Sequence, residues 1–208
     1  FVFLTPYVLS FGSLPVPFPF MQVRYSFGMN YHGQGLSIPS QAFVLTTGNI
    51  VNSSYIEVTE SVGAASPLKF YVNLSNRSML LSKELLAELL PHGEYYDLWI
   101  GERHRAGDVV KVLNHTTALS NSGLKFHGWL FFNSLATSKI PFNFSRTVNY
   151  QGTMISADYF GEIIITYDQE TGLMIEDHQL WTANFTYLSS PQTISYSAVI
   201  TYESSNVR

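Results

Sequence analysis

The residues with the most specific chemistry in this sequence are asparagines that can accept an N-linked glycan. Such an asparagine stands two residues before a serine or threonine, with any residue except proline between them. Half of the twelve asparagines meet this rule, whereas the frequency of Ser and Thr predicts about two by chance. Glycans are attached outside the cytoplasm to exposed side chains, so the pattern predicts a secreted glycoprotein. The six candidate sites are Asn52, Asn73, Asn76, Asn114, Asn143 and Asn184.

Two clusters of titratable residues could carry other chemistry. Residues 176–178 read Glu-Asp-His, as in a fragment of a metal site or a catalytic triad. Strand alternation would place Glu176 and His178 on one face and Asp177 on the other, which favours a solvated outer face. Residues 102–108 are the most polar segment, and a charged loop between two strands accounts for them. His127 lies in mid-strand and fits a surface or hydrogen-bonded residue.

The sequence predicts neither an enzyme nor a metalloprotein. It contains no cysteine, and its six histidines form no close pair with metal-ligand spacing. The motifs of serine hydrolases, phosphate-binding loops and aspartic proteases are absent. We therefore expect no catalytic residues, no metal and no cofactor apart from covalent N-linked glycans. A pair of carboxylates for glycoside hydrolysis depends on distance in the fold, so that possibility stays open.

Composition limits the function classes further. The chain has 208 residues, of which 46% are hydrophobic and only 12% are charged, with a net charge of -4. A chain of this length and hydrophobic content can bury a large core. The eleven Lys and Arg are scattered, so no nucleic-acid partner is expected. A surface covered mainly by Ser, Thr, Asn, Gln and Tyr keeps its character when carboxylates protonate, and so suits an acidic medium.

Alternation of apolar and polar residues predicts strands along most of the chain. The alternation begins at Gln22 and runs to Tyr31, and Tyr167–Leu173 has the residues of a hairpin turn. One short helix is predicted near 82–90, with Ser82 as its N-cap and Pro91 after its end. We expect an all-β fold, an antiparallel sandwich of immunoglobulin-like or pilin-like type. The other predicted strands are 42–47, 54–59, 68–74, 96–100, 109–113, 124–132, 146–150, 162–167, 173–181 and 194–202.

The N-terminal segment is set apart from the rest. Residues 1–23 carry no charged side chain, and four prolines argue against a membrane-spanning helix. We expect an extended strand over 1–11, a stiff proline-rich connector over 14–20 and a globular head over 21–208. The strand can complete its own domain or a neighbour's, and both of its registers are apolar. The candidate donor-strand residues are Phe1, Val2, Phe3, Leu4, Tyr7, Val8, Leu9 and Phe11.

The chain resembles the thread pilins, the glycosylated filament subunits of thermoacidophilic archaea. The resemblance lies in chain size, the uncharged N-terminus beginning Phe-Val-Phe-Leu, the six glycan acceptor motifs, the missing cysteine and the low charge. It implies subunits joined head to tail by donor-strand complementation, with a fold similar to bacterial type I pilins. It also implies an extracellular filament of identical subunits, with no membrane in the mature filament and a role in adhesion or biofilm structure.

A second interpretation belongs to another class of protein. The head could be a secreted β-sandwich that binds a ligand or hydrolyses a substrate, with an N-terminus that completes its own fold or anchors it to the envelope. Deleting residues 1–20 distinguishes the two interpretations. A donor strand leaves behind a soluble head that no longer polymerises, whereas loss of a self-completing strand unfolds the head.

Overall fold

Regular secondary structure in the described part of the protein consists of antiparallel β-strands. A computed structural model describes residues 16–32, 37–80 and 95–207. The predicted all-β antiparallel class is confirmed. The twelve strands in these residues are β1 Gln22–His32, β2 Ser37–Val51, β3 Tyr55–Val62, β4 Leu68–Asn73, β5 Met79–Leu80, β6 Val109–Val112, β7 His115–His127, β8 Leu130–Thr137, β9 Ile140–Tyr150, β10 Thr153–Asp168, β11 Met174–Tyr187 and β12 Ser190–Ser205.

These strands form one continuous sheet whose two ends meet. The order is β5-β4-β3-β2-β1-β12-β11-β10-β8-β7-β6, and β9 pairs with β10 beside β8. Tyr95 forms bridges both to Ser78, next to β5, and to Leu113, next to β6. The sheet therefore curves around an inner face, and a sandwich of two separate sheets is not shown.

The predicted alternation explains which side chains fill the inner face. In β1, Val23 and Tyr25 are fully buried, whereas Gln22 and Arg24 are exposed. The strands on both sides of the core contribute in the same way, with Leu45 from β2 and Ile165 from β10. Buried apolar side chains of this size each contribute about 1.5–3 kcal/mol. The curved sheet is thus held mainly by the apolar half of each strand.

Two predicted strands are corrected by the structure. Residues 96–100 are irregular apart from a bridge at Trp99, because Arg77 donates hydrogen bonds to the carbonyls of Tyr96 (2.8 Å) and Trp99 (3.0 Å). Residues 124–132 are not one strand but the tip of the β7–β8 hairpin, where Gly128 takes a positive φ of 60°.

The hairpin predicted around residues 167–173 is confirmed. It joins β10 to β11, and buried Asp168 accepts hydrogen bonds from the Thr171 amide (3.0 Å) and hydroxyl (2.6 Å). Gly172 takes a φ of 70°, and a Cβ there would lie 1.6 Å from the Gly101 carbonyl oxygen. Both the conformation and the close approach therefore require glycine.

The ends of four strands extend beyond the main core as a ribbon. We call residues 140–161 and 181–196, from β9 to β12, the distal ribbon. Its inner face has a small core of its own, in which Ile155, Ala157 and Phe185 are buried. The distal ribbon lengthens the inner face well past the point where the two ends of the sheet meet.

Several predictions concern residues outside the described ranges. The donor strand over 1–11 and the helix near 82–90 both lie there. Of the proline-rich connector, residues 16–20 are described, and they form bends and a turn against β2. Val16 is buried, and the Phe18 carbonyl accepts a hydrogen bond of 2.6 Å from the Thr47 hydroxyl. Val16 and Phe18 of the connector thus pack against the head, whereas Phe20 is exposed.

Candidate functional site

Five of the six predicted glycan acceptors are exposed. Asn52, Asn76 and Asn114 lie at turns between strands, and Asn143 and Asn184 lie within strands of the distal ribbon. Asn73 is half-buried because its side-chain oxygen accepts hydrogen bonds from Ser75 and from the Asn76 amide. The predicted surface positions therefore agree with the accessibility that an acceptor asparagine needs.

None of these asparagines projects from the inner face of a strand. In β9, the inner positions are Phe142 and Phe144, so Asn143 between them faces outwards. In β11, the inner positions are Ala183 and Phe185, so Asn184 also faces outwards. A glycan at any of the six sites would therefore leave the inner face uncovered.

The inner face contains an apolar cleft of about 380 Å³. It lies between the inner faces of β1, β11 and β12 on one side and β2 and β3 on the other. Aromatic and aliphatic side chains dominate its walls, and strand alternation places them all on one face of the sheet. The principal wall residues are Phe27, Met29, Phe43, Trp181, Tyr196 and Ile200.

A continuous row of aromatic rings leads from the cleft along the distal ribbon. Trp181 is at its centre, with ring centroids 5.6 Å from Tyr196 and 4.2 Å from Phe142. The row continues through Phe144 to Tyr159, whose rings stack at 5.0 Å. Such contacts stabilise the ribbon by about 0.5–1.5 kcal/mol per pair beyond area burial. The cleft and this row form one extended apolar surface.

The few polar side chains of the cleft are acidic or amide. Glu60 accepts a hydrogen bond of 2.6 Å from the Tyr96 hydroxyl, and Asp97 and Gln179 also contribute to the lining. Glu60 is only 7% exposed, and burial raises the pKa of Tyr96 well above its ordinary value, an effect that the Glu60 carboxylate increases. The cleft is therefore an apolar site with a small acidic region.

Asp177 lies on the same strand face, two residues before Gln179, and is buried. Gln179 Nε2 donates a hydrogen bond of 2.5 Å to Asp177 Oδ2, while Oδ1 has no hydrogen-bond partner among the described residues. Burial, with a smaller contribution from the nearby Asp97, raises the pKa of the Asp177 carboxyl to about 8. A protonated carboxyl avoids the cost of burying a charge, so Asp177 is neutral in an acidic or neutral medium.

The Glu-Asp-His segment divides between the two faces of β11 as predicted. Glu176 pairs with Lys125 at 2.9 Å, and its carboxylate lies 3.4 Å from the ring nitrogens of both His127 and His178. The half-exposed His178 fits the predicted outer face, but the side chain of His127 is only 8% exposed. Burial lowers the pKa of His127 despite the attraction of Glu176. This cluster links the β7–β8 hairpin to β11.

The charged segment 102–108 is a loop, as predicted. His104 lies with Nδ1 3.3 Å from an Asp108 carboxylate oxygen and Nε2 2.9 Å from the Ile100 carbonyl oxygen. The Arg105 amide also donates to Asp108 at 2.8 Å. These bonds hold the loop internally. They do not connect it to the cleft.

The residues of the cleft were not recognised as a site from the sequence. The alternation of Asp177, Gln179 and Trp181 places them on one face, and that signal is visible in the sequence. Their meeting with Phe43 and Glu60 depends on the curvature of the whole sheet.

Over residues 16–32, 37–80 and 95–207, no group of three or more His, Asp or Glu side chains is arranged to hold a metal. The same residues contain no helix long and apolar enough to cross a membrane.

The described chain starts at the opposite end of β1 from the cleft. Val16 is buried in the main core, and two residues later the Phe18 carbonyl accepts a hydrogen bond from Thr47, which also binds the Met21 amide where β1 begins. Phe27 and Met29 of the cleft lie farther along β1, roughly 17 and 23 Å from Gln22 at about 3.3 Å per residue. The segment before Val16 therefore joins the head at one end of β1, and the cleft lies towards the other.

Comparisons with known proteins provide no family for this chain. Neither the protein-family models nor the curated proteins contain a match. Among solved structures, the chain is similar to a LolA superfamily protein from Nitrosomonas europaea, with 10% identity over 93% of this chain and 88% of that chain. The TM-score of that comparison is 0.24, so the similarity carries no argument about fold or function.

Proposed function

We propose that the protein is the repeating subunit of an extracellular, N-glycosylated filament. In this proposal, the N-terminal segment of one copy occupies the apolar cleft of the next copy. Apolar side chains of the segment, such as Phe1, Phe3 and Leu9, match the aromatic and aliphatic walls of the cleft. Burial of several of them stabilises the contact by about 1.5–3 kcal/mol each.

The observation that carries the proposal is that the N-terminal segment and the cleft lie towards opposite ends of β1. The segment before Val16 joins the head at one end, and the cleft lies towards the other. A contact between two different surfaces of identical subunits is heterologous, and it generates an open chain unless the rotation closes a ring. This arrangement supports head-to-tail growth over a closed dimer.

The positions of the glycan acceptors support the same function. Asn143 and Asn184 lie on the outer face of the distal ribbon, directly behind the aromatic row. Glycans there would solubilise the outer surface of a protein that has few charges and leave the inner face free for protein contacts. A filament of identical glycosylated subunits, without nucleic acid, membrane or cofactor in its structure, fits a role in adhesion or biofilm formation.

Substitution of Ala198 by Phe tests this use of the cleft. Ala198 is 2% exposed and lies in the cleft wall. The phenyl ring of the substituted side chain would fill the space that the neighbour's segment needs. We expect purified A198F protein to remain monomeric in electron micrographs under conditions where the native protein forms thin filaments. A peptide of residues 1–15 should bind to a variant that lacks those residues. The A198F substitution in that variant should weaken the binding at least tenfold.

Leu180→Phe is the matched control, because Leu180 is 52% exposed on the opposite face of β11. The L180F variant should polymerise like the native protein. Circular dichroism and thermal unfolding establish that both variants are folded. Normal filaments from folded A198F, or a native protein that stays monomeric at high concentration, would contradict the proposal.

A second candidate function is a secreted module that binds an apolar small molecule. The observation that favours it is the cleft volume, which lies within the range of about 300–1,000 Å³ for ligand sites. Glu60, Asp97 and Gln179 would orient a polar group of such a ligand. Native mass spectrometry of the monomer would reveal a bound compound, and tests on polysaccharides and peptides would reveal a hydrolytic activity.

A further inference from the structure

A surface depression of about 470 Å³ lies outside the cleft, beside the outer face of β8. We call it the outer depression. Its walls come from three segments, the loop at Arg103, strand β8 at Asn133 and the β10–β11 turn at Gln169. Seven of its eight described lining residues are polar or charged, and the eighth is Phe131. The volume lies within the range of about 300–1,000 Å³ for ligand sites. The outer depression is therefore a candidate site for a polar ligand, in contrast to the apolar cleft.

Backbone hydrogen bonds hold the three segments of the outer depression together. The Gln169 amide donates to the Asn133 carbonyl oxygen at 2.7 Å, and the Arg103 amide donates to the Glu170 carbonyl oxygen at 3.2 Å. A site whose walls are fixed in this way loses less conformational entropy when a ligand binds.

The charges that line the outer depression balance. Arg103 and Arg105 contribute two positive charges, and Asp168 and Glu170 contribute two negative charges. An anion would meet the two carboxylates, and a cation would meet the two guanidinium groups, so neither gains a net attraction. The balance favours a ligand without charge.

The exposed and half-buried side chains of the outer depression combine hydrogen-bond donors with acceptors. The Arg103 guanidinium only donates, the Glu170 carboxylate only accepts, and the side-chain amides of Asn133 and Gln169 do both. Each hydroxyl of a sugar is also a donor and an acceptor, and a sugar ring carries several of them side by side. This set of side chains therefore suits a neutral, polyhydroxylated ligand.

Exposed aromatic rings extend the outer depression along the β7–β8 hairpin. Phe131 is 60% exposed, and Phe126, its direct partner across the hairpin, is 72% exposed on the same face. A contiguous group of large exposed apolar side chains marks an interaction site. The C–H faces of a sugar ring are apolar and pack against aromatic rings, while its hydroxyls need polar groups beside those rings. The outer depression and the two phenylalanines provide both.

We propose that the outer depression, together with Phe131 and Phe126, binds a neutral oligosaccharide. One sugar ring occupies the depression, and the chain continues across the two aromatic rings. An extended peptide is less suited, because β7 pairs with Asn133 on one side and the Gln169 amide binds its carbonyl on the other, so no strand edge is open at this residue. The inference does not depend on filament assembly. The same sugar chemistry occurs in polysaccharides of the surroundings and in glycans on a second copy of the protein.

Saturation-transfer NMR and calorimetric titration of the natively purified protein test this proposal. The probes are maltohexaose, cellohexaose and mannohexaose, which are neutral, and hexagalacturonate, which is acidic. We expect at least one neutral hexasaccharide to bind and hexagalacturonate to bind roughly tenfold more weakly or not at all, because no net charge attracts it. Added salt should change the affinity for the neutral probe little.

Substitutions locate the binding site. Phe131→Ala should weaken binding of the neutral hexasaccharide roughly tenfold, and Asn133→Ala roughly fivefold, since one removes a packing surface and the other a hydrogen-bonding amide. Phe20→Ala is the matched control, because Phe20 is an equally exposed phenylalanine (68%) in the connector. It should leave binding unchanged.

Glu170→Gln tests whether the balance of charge selects a neutral ligand. The glutamine keeps a hydrogen-bonding group but leaves Arg103 and Arg105 in excess over the carboxylates. We expect E170Q protein to bind hexagalacturonate more tightly than the native protein does, with an affinity that falls as salt is added.

The source of the oligosaccharide is decided by the same titrations. Association between protein molecules that the bound hexasaccharide reverses would identify glycans on a second copy. Binding without such an effect would identify a polysaccharide of the surroundings, and both results support the proposal. It is overturned if none of the three neutral hexasaccharides binds, if hexagalacturonate binds the native protein best, or if binding persists unchanged in folded F131A and N133A proteins.

Discussion

Asp177 is the side chain at which burial has the clearest chemical consequence. Its pKa is raised to about 8, mainly because burial penalises the charged form. In the unfolded chain the carboxyl has an ordinary pKa near 4. Between these two values the folded protein holds a proton that the unfolded chain releases. The folded state is therefore favoured by acid at this residue.

The stability of the native protein should fall as the pH rises from about 4 to 8. In that interval the contribution of Asp177 decreases by at most about 1.4 kcal/mol per pH unit. Below pH 4 the contribution is complete because both states are protonated, and above pH 8 it is lost. Asp177→Asn, which mimics the neutral carboxyl, should flatten this dependence and make the protein more stable than the native form at pH 8. Urea unfolding at several pH values measures both effects.

Asp158→Asn provides the control for this measurement. Asp158 is exposed on the outer face of the neighbouring strand, where it accepts a hydrogen bond of 2.6 Å from Ser145. The D158N protein should keep the pH dependence of the native protein. If D177N keeps the same slope between pH 4 and 8, the proton is not held at Asp177.

At the scale of elements, Gly161 decides how closely β10 and β11 approach. A Cβ at this position would lie 1.9 Å from the Leu180 carbonyl oxygen and 2.7 Å from the Phe142 ring. The absence of a side chain lets Phe142 reach Trp181 across the strand, where the two rings begin the aromatic row. Glycine weakens most strands, so its presence here reflects this close contact.

Gly161→Ala should destabilise the protein by about 1–3 kcal/mol, the usual cost of overpacking. The strain displaces Phe142 and Trp181, so near-ultraviolet circular dichroism should also change. Gly28→Ala in β1 is the control, because its Cβ would have no atom within 4 Å. That substitution should be neutral or stabilise slightly. Equal effects of the two alanines on the midpoint of urea unfolding would show that close approach at Gly161 is not important.

For the whole molecule, the two faces of the sheet have different roles. The inner face holds the core, the cleft and the aromatic row, while the outer face and the turns carry the candidate glycan acceptors. Filament assembly would use the inner face, and the glycans would cover the outer face.

Mass spectrometry of the natively purified protein should find glycans at the predicted sites. We expect modified peptides for the exposed acceptors, including Asn143 and Asn184, and none for Asn121 or Asn133, which lie outside the acceptor pattern. Enzymatic removal of the glycans, or substitution of the acceptor asparagines, should reduce the solubility of the protein. Either change should leave the cleft accessible to a peptide of residues 1–15. Unmodified Asn143 and Asn184 in native material would remove the support that their positions give to the filament proposal.

The sequence by itself determined the features that depend on neighbouring residues. Alternation assigned Tyr25 to the inner face and Arg24 to solvent, the turn residues located the β10–β11 hairpin, and three-residue patterns predict the candidate glycan acceptors. The turn at Gly128 and Trp129 also depends on neighbouring residues. The apolar residues around it nevertheless led to the prediction of one strand over 124–132, where the structure has a hairpin.

Only the tertiary structure decided the features that join distant segments. Residues 96–100 have the sequence pattern of a strand. Hydrogen bonds from Arg77 to their carbonyls and from the Tyr96 hydroxyl to Glu60 hold them in an irregular conformation instead. The cleft combines Phe43 from β2 with Trp181 from β11, and the raised pKa of Asp177 requires the burial that this closure produces. Alternation specifies the face of each strand, but the curvature that brings the two ends of the sheet to Tyr95 comes from packing of the whole core.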